Sequence, residues 1–274
     1  GGTGGSDSCS GSGTGGNAQI IPIASIQGSG ATSPLVGQTV STQGVVTRLT
    51  NTGFYMQSLV EDGNPATSDG IFVYTTSAPS VSLSQLVQVA GTVTEFNAGA
   101  STNALTLAHT ITELTSPTIT VLGSGYSVTP TVLSFPATEA QLEAVEGMVV
   151  QINQTITASQ NYFLGRYGQV TLGVGGRLVK PTNVFPAGSA DAQALAQANA
   201  QRQLLLDDGS SLQNVNPMPY IGADNTLRAG DTLPGLTGVI DYGLATSDNT
   251  GLALYKIVPT QSVSFTRANP RTST

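Results

Sequence analysis

Short stretches that alternate apolar and polar residues recur along most of the chain, and turn sequences separate them. In "LVQVAGTVTEF", Val87, Val89 and Val93 fall on one face of an extended strand, and Gly91 marks a bend or bulge. The stretch from Gly53 to Thr75, "GFYMQSLVEDGNPATSDGIFVYT", predicts two strands joined by a long polar turn. A period of two residues is typical of half-buried strands, so the sequence predicts a mostly β protein.

The second half of the chain repeats features of the first half in the same order. "LVGQTVSTQGVVT" is matched by "AVEGMVVQINQTIT", "NTGFYMQS" by "SQNYFLGRYGQVTL", and "VAGTVTEF" by "LTGVIDYG". The last pair ends in an acid and an aromatic residue both times, Glu95-Phe96 and Asp241-Tyr242. Because the matches keep their order, they indicate a tandem duplication.

One stretch has a different pattern. "SADAQALAQANAQRQLLL", from Ser189 to Leu206, is rich in Ala, opens with a Ser/Asp start signal and contains no Gly or Pro, which predicts a helix near 190–206. A small barrel of about five strands with a helix between the third and fourth is the plan of the OB-fold. We therefore expect two tandem OB-like barrels with one main α-helix in the second. The expected segments are a barrel at 20–122, a linker at 123–130, a barrel at 131–266 and a tail at 267–274.

The N-terminal segment 1–19 is expected to be a Gly/Ser-rich arm. Its first 16 residues contain eight glycines and the single cysteine, Cys9. The following "AQIIPIASIQG" predicts an apolar strand. Such an arm would reach a neighbouring molecule and add a strand to its sheet, with a Cys9 bridge as a covalent lock. The isoleucines expected to fill apolar slots there are Ile20, Ile21, Ile23 and Ile26.

The amino-acid composition restricts the classes of protein to which the chain can belong. Only 9% of the residues are charged, against about 25% in ordinary soluble proteins, and such a surface is common in exported β-proteins. We therefore expect a secreted, extracellular or cell-surface protein. A single cysteine excludes a disulfide framework within the chain and a cysteine-rich zinc site. No run approaches the ~18 apolar residues of a membrane helix, so no membrane partner is expected.

Nucleic-acid binding is disfavoured by charge, because nine Lys and Arg face sixteen Asp and Glu. One stretch, "NYFLGRYGQVTLGVGGRLVK", nevertheless interleaves aromatic rings with cations, which would stack on bases and meet phosphates. The alternative is a barrel strand whose aromatic side chains pack inward. The candidate nucleic-acid-binding residues are Tyr162, Arg166, Tyr167, Arg177 and Lys180.

Three acids of the long polar turn have two interpretations. Asp62-Gly63 and Asp69-Gly70 are turn dipeptides, which favours a structural role. Glu61, Asp62 and Asp69 together would alternatively form a surface Ca²⁺ site, since hard cations prefer oxygen ligands. No other cofactor is expected.

The only histidine, His109, has no catalytic motif around it. "ALTLAHTITEL" alternates and places His109 with Leu105, Leu107 and Ile111 on one face of a predicted strand. A Ser–His–Asp triad would need this imidazole in an exposed cleft, and no "GxSxG" sequence accompanies it. We interpret His109 as a core or edge residue.

Several of these stretches, from Ile23 to Arg271, together resemble the OB-like region of secreted bacterial endonucleases of the ExeM/NucH type. In that family a metal-dependent endonuclease/exonuclease/phosphatase domain follows, and the joint commonly reads "NPR", as in Asn269-Pro270-Arg271 here. The resemblance implies that this chain contains no catalytic residue and is not an enzyme. The resembling stretches are "IASIQGSGATSPLVGQTVSTQGVV", "GFYMQSLVEDGNPATSDGIFVYT", "YFLGRYGQVTL", "LLLDDG" and "LRAGDTLPGLTGVIDYG".

Two functions are therefore open at this point. The first is a non-catalytic extracellular β-module that acts as a structural subunit of a fibre or matrix and assembles with copies of itself through the arm. The second is an accessory nucleic-acid-binding OB-fold module of a secreted nuclease, with extracellular DNA as a weakly held partner. OB barrels also bind sugars and proteins, so the fold alone does not decide.

Overall fold

The protein is mostly β in a computed structural model that describes residues 19–270 and Thr272. The N-terminal region contains five strands and two short helices. The strands are β1 Thr39–Leu49, β2 Gly53–Gln57, β3 Gly70–Tyr74, β4 Gln85–Phe96 and β5 Ile111–Ser124; the helices are α1 Ile23–Gln27 and α2 Ala104–Ala108.

These five strands form a closed barrel in the order β1-β2-β3-β5-β4. All neighbours are antiparallel except β3 and β5, which run parallel with Phe72 opposite Glu113. The barrel interior is filled by aliphatic side chains and Phe54. We call this region the barrel.

The C-terminal region contains the remaining eight strands. They are β6 Thr131–Val132, β7 Val149–Ile152, β8 Ile156–Gln160, β9 Gln169–Val174, β10 Gln203–Asp207, β11 Thr232–Leu233, β12 Leu236–Leu244 and β13 Ala253–Pro259. Its helices are α3 Glu139–Glu143, α4 Leu164–Tyr167 and α5 Ala190–Ala200, with a 3₁₀ turn at Pro181–Asn183.

The eight strands pair in the order β11-β8-β9-β10-β13-β12-β7-β6, which we call the large sheet. The expected second five-stranded barrel is thus not a closed ring in its strand pairing. One cause is β10, which lies between β9 and β13 and pairs with both of them. The large sheet has parallel contacts between β10 and β13, with Leu205 opposite Lys256, and between β6 and β7 at its end.

The period-two predictions for the barrel are confirmed where strands are long. Val87, Val89 and Val93 of β4 are buried in the barrel interior. The pairing of β4 with β5 shifts register between Ala90 and Thr92, so Gly91 marks the predicted bulge. The stretch from Gly53 to Thr75 forms the predicted antiparallel pair, β2 and β3.

The predicted long helix is correct in its first part and wrong in its second. Ser189 caps α5 by accepting a hydrogen bond from the Ala192 backbone N–H at 3.2 Å, but the helix ends at Ala200. The "QLLLD" segment forms β10, and its three leucines are buried between β9 and β13. Burial of these side chains in the sheet outweighs the helix propensity of Gln and Leu.

The strand predicted from Leu105 to Ile111 is also wrong in its first part. Asn103 accepts a hydrogen bond from the Leu105 backbone N–H at 3.1 Å and so begins α2, and β5 starts only at Ile111. His109 follows α2 and packs on the large sheet, with its ring centroid 4.9 Å from that of Tyr242. Its Nδ1 lies 3.3 Å from the Tyr255 hydroxyl, which donates to Glu143 at 2.7 Å.

The apolar segment after the Gly-rich arm belongs to the barrel and is not a strand. Ile23 and Ile26 lie on α1 and are completely buried in the barrel interior, so they are not available to a neighbouring molecule. Ile20 forms a bridge with Ser41 of β1, and the Ile21 N–H donates to the Ser41 carbonyl at 2.8 Å. The rest of the predicted arm, residues 1–18 with Cys9, lies outside the described residues.

The barrel and the large sheet are in direct contact through backbone. A Cβ on Gly147, whose φ is +76°, would lie 2.9 Å from the carbonyl carbon of Gly70, closer than packed atoms allow. Beside this contact, the Val149 N–H donates to the buried Gln57 side chain at 2.8 Å, and Ser68 Oγ donates to the Glu146 carbonyl at 2.5 Å. The two regions are therefore joined by buried hydrogen bonds as well as apolar packing.

Within residues 19–270, no helix has the length and apolar character to cross a bilayer.

Candidate functional site

A cleft of about 670 Å³ lies between the barrel and the large sheet. Strands β2, β3 and β5 and the end of β4 form one wall. The first residues of β5 are buried on both faces because the large sheet packs outside them. Leu114 therefore faces the barrel interior, while its neighbour Glu113 faces the cleft. The main side chains of this wall are Tyr55, Phe72, Tyr74, Phe96 and Glu113.

The opposite wall carries an ion pair. Lys256 of β13 donates to Asp207 of β10 at 2.9 Å, and both side chains are largely buried. Gln169 of β9 donates its amide N–H to the same Asp207 oxygen at 2.7 Å. Burial alone would raise the pKa of Asp207, but Lys256 and these hydrogen bonds outweigh it and hold the pKa below its usual value.

Two acceptor atoms on this wall have no hydrogen-bond partner in the described structure. They are Oε1 of Gln169, a residue only 6% exposed, and Oδ1 of Asp241. The amide nitrogen of Gln169 faces Asp207, which is an acceptor, so the unpaired atom of Gln169 is its oxygen. A buried acceptor without a donor costs about 1–3 kcal/mol, which makes both atoms candidates for ligand contacts.

Glu113 is the carboxyl of the barrel wall, and its environment is strongly perturbed. Burial is the largest effect that raises the pKa of Glu113 to about 7, and the nearby charges of Asp241 and Glu95 add to it. Burial also raises the pKa of Asp241, and Lys256 and Tyr55 offset only part of that increase. Carboxyls with raised pKa values in a cleft are typical of functional sites.

Aromatic rings supply the apolar part of the cleft. The rings of Tyr55 and Phe72 pack at 4.9 Å between centroids with a tilt of 53°. Phe96 at the end of β4 is half exposed, which is unusual for a side chain of this size. The cleft thus combines aromatic surface with acidic groups and unpaired acceptors.

The predicted nucleic-acid-binding residues form two groups, and the "NYFLGRY" segment is a turn and a helix rather than a barrel strand. Tyr162 is 79% exposed, and its ring packs on Phe163 at 5.0 Å. Arg166 donates to the Gln213 side chain at 2.9 Å and lies 5.2 Å from the Tyr167 ring. Tyr167 is the one member of the predicted set that lines the cleft.

Arg177 and Lys180 lie beyond the other end of β9, in the segment that leads to the 3₁₀ turn. Both side chains are exposed. The six residues of β9 separate them in sequence from the aromatic residues at α4, so the predicted cationic–aromatic cluster is divided between the two ends of the strand.

The acids of the long polar turn are engaged in local hydrogen bonds. Asp62 accepts from the Asn64 backbone N–H at 2.8 Å and from Thr67 Oγ1 at 2.9 Å, which is an Asx turn. Asp69 accepts from the Asp62 backbone N–H at 3.1 Å, and Glu61 accepts from Gln57 and Thr131. Among the described residues, no group of three or more His, Cys, Asp and Glu side chains is placed to hold a metal ion.

The sequence did not point to the acids of the cleft. Glu113 and Lys256 lie within the apolar stretches "ITEL" and "LYKIV", where a charged residue was a signal that had no assigned role. Asp207-Asp208-Gly209 is interpreted from the sequence as a turn, with metal binding as the less favoured alternative. Asp241 was visible in the repeated acid–aromatic pair. Because these residues come from four strands of two regions, only the tertiary structure brings them together.

Comparison with known proteins leaves the family open. No protein-family model matches the chain, and no curated protein sequence matches it.

Proposed function

We propose that the chain is a non-catalytic binding module whose ligand site is the cleft between the barrel and the large sheet. The observation that carries this proposal is the pair of unpaired acceptors, Gln169 Oε1 and Asp241 Oδ1, beside the aromatic surface of a 670 Å³ cleft. Ligand pockets are typically concave and largely apolar, with a few placed polar groups. The acidic lining favours a small ligand or a projecting group over a nucleic acid.

We also infer that both regions are OB-like. The barrel order β1-β2-β3-β5-β4, with β3 parallel to β5, supports this for the N-terminal region. In the large sheet, β9, β13, β12 and β7 follow the order of β3, β5, β4 and β1, and β10 is inserted between the first two. The resemblance to the OB-like region of secreted endonucleases agrees with this inference, and secretion of the chain is part of the same proposal.

Self-assembly through the arm is a separate proposal that rests on the sequence of residues 1–18 and Cys9. Four isoleucines that follow these residues were expected to contact a neighbouring molecule. Ile23 and Ile26 are buried in the barrel, so only Ile20 and Ile21 remain for such a contact. Deletion of residues 1–18 should convert any oligomer to monomer in analytical ultracentrifugation. An unchanged oligomeric state after deletion would contradict the arm proposal and leave the cleft proposal unaffected.

The cleft proposal is testable by fluorescence, because the chain contains no tryptophan. Leu212 lines the cleft and is 63% exposed, so Leu212→Trp places a single reporter there. Leu83, 55% exposed on the barrel, gives the matched control Leu83→Trp away from the cleft. Each variant is titrated with neutral oligosaccharides, organic amines and short oligonucleotides.

We expect one of these ligand classes to change the emission of Leu212→Trp in a saturable manner and to leave Leu83→Trp unchanged. Equal changes in both variants would indicate nonspecific association. Equal changes, or no response to any of the three classes, would contradict the proposed binding function.

A further inference from the structure

We propose that the ligand of this cleft carries an organic ammonium group joined to a flat or apolar part. The inference rests on the proposed binding function and adds the chemical class of the ligand. Four observations carry it: the balance of charges, the unpaired acceptors, the aromatic wall and the size of the cleft.

The charged side chains that line the cleft are three acids and one base, Glu113, Asp207, Asp241 and Lys256. Lys256 is committed to Asp207 at 2.9 Å. The surrounding elements add Glu95 from β4, Glu146 before β7, Asp208 after β10 and Arg48 from β1. Arg48 donates to the Asp208 carbonyl at 2.9 Å. Glu113 and Asp241 therefore have no ion-pair partner among the described residues.

The unpaired atoms of the cleft are acceptors. Gln169 Oε1 and Asp241 Oδ1 require donors, and an ammonium group offers up to three N–H donors. A phosphate or carboxylate would bring more acceptors and more negative charge. A sugar hydroxyl would satisfy the acceptors but would not offset the negative charge that Glu113 and Asp241 carry once they are ionised. An ammonium group satisfies both requirements.

The aromatic wall favours the same class. Phe72 lies opposite Glu113 on the neighbouring strand β3, and the Tyr55 ring of β2 packs on Phe72. The face of an aromatic ring attracts a cation. An ammonium group placed between the carboxyls and these rings would hold its apolar part against the rings. The volume of about 670 Å³ accommodates a compact organic amine. A free amine and a lysine side chain share this chemistry.

The test compares two probes of nearly the same shape, benzylammonium and benzyl alcohol, on the Leu212→Trp reporter. We expect benzylammonium to bind about tenfold or more tightly than benzyl alcohol. Glu113→Gln and Asp241→Asn keep side-chain shape and remove charge, so each should weaken benzylammonium binding by about tenfold and leave benzyl alcohol unchanged. A circular dichroism spectrum and a melting curve check that each variant is folded. If Asp241→Asn does not fold, the comparison of the parent protein with Glu113→Gln tests the inference alone.

pH gives an independent readout. Burial raises the pKa of Glu113 to about 7, so Glu113 must lose a proton to pair with a cation. Benzylammonium stays protonated between pH 5 and 8, and its affinity should therefore increase across this range in the parent protein and much less in Glu113→Gln. Benzyl alcohol should show no such dependence.

Equal affinity for the two probes, or pH-independent binding of benzylammonium, would overturn the inference. If an oligosaccharide still binds the reporter in that case, the proposed binding function stands without its cationic ligand. If no probe of any class binds, both fail. Titration with 1,5-diaminopentane and with a blocked lysine peptide then distinguishes a free amine from a lysine side chain, since only the preferred source should bind at micromolar concentration.

Discussion

Glu95 of the barrel and Asp241 of the large sheet stand at matching positions, yet their carboxylates have different surroundings. Glu95 precedes Phe96 in β4, which pairs with β1 and β5. Asp241 precedes Tyr242 in β12, which pairs with β7 and β13. Glu95 accepts hydrogen bonds from the Ser33 N–H at 2.7 Å, Thr112 Oγ1 at 2.9 Å and Thr110 Oγ1 at 2.6 Å. Asp241 leaves Oδ1 unpaired.

The cross-strand neighbours explain the difference. Thr112 lies opposite Glu95 and donates a hydrogen bond to it. Lys256 lies opposite Asp241 but forms its ion pair with Asp207. Asp207 belongs to β10, the strand inserted between β9 and β13. The inserted strand thus brings a second acid, Asp207, to the lysine that lies opposite Asp241. An inserted strand can therefore engage the cation beside one of two matching acids, while an oxygen of that acid stays unpaired in the described structure.

The largest expected effect breaks the Lys256–Asp207 pair. Lys256→Met leaves the buried Asp207 carboxylate without its cation, which should lower the free energy of unfolding by about 3–5 kcal/mol in urea titrations. The exposed Lys180→Met is the control and should change it by less than about 0.5 kcal/mol. Because Lys256 forms its ion pair with Asp207, Asp207→Asn added to Lys256→Met should restore more stability than Asp241→Asn added to Lys256→Met. Equal restoration by the two additions would contradict the comparison.

The second effect concerns Glu113 and pH. Its pKa in the folded state is raised to about 7 from the usual 4.5 of a glutamate, mainly by burial. The folded state therefore holds a proton that the unfolded state loses. The contribution of Glu113 to stability is fully present below about pH 4.5 and is lost as pH rises through about 7, by less than about 3 kcal/mol because solvent screens part of the charge. Glu113→Gln should be more stable than the parent at pH 8 and similar at pH 4, as measured by urea unfolding at both values. A parent and variant that differ equally at both pH values would show that Glu113 does not titrate in this way.

The smallest effect compares the two matching acids directly. Glu95→Gln removes a charged acceptor from three donors and should cost about 1–3 kcal/mol of unfolding free energy. Asp241→Asn removes a charge that has no paired donor at Oδ1 and should be neutral or slightly stabilising above pH 7. Thermal melts of both variants at pH 7.5 measure the difference. Similar destabilisation by both changes would mean that Asp241 is structural after all.

The sequence predicted what depends on local period. The strands β2, β3 and β4 and the bulge at Gly91 follow from alternation over a few residues. "QRQLLL" was assigned to the helix because its propensity does not distinguish a helix from a buried strand, and only pairing with β9 and β13 decides. The repeat of "NTGFYMQS" in "SQNYFLGRYGQVTL" was misleading, since the second segment contains α4.

The cleft itself could not be predicted from the sequence. An acid in an apolar strand can have its carboxylate oxygens paired with donors, as Glu95 does, or keep one oxygen unpaired in the described structure, as Asp241 does. Both residues are acids that directly precede an aromatic residue. The outcome depends on β10, which approaches from a distant part of the chain.

The contact between Gly70 and Gly147 determines how the cleft can respond to a ligand. Main chain meets main chain there, so no side-chain rotamer can change to bring the two regions closer or to let one slide over the other. The cleft should therefore keep a fixed width when a ligand binds and should not close around it. Its radius of gyration in solution scattering should be the same with and without ligand, and affinity should fall steeply when a methylene is added to or removed from the ligand.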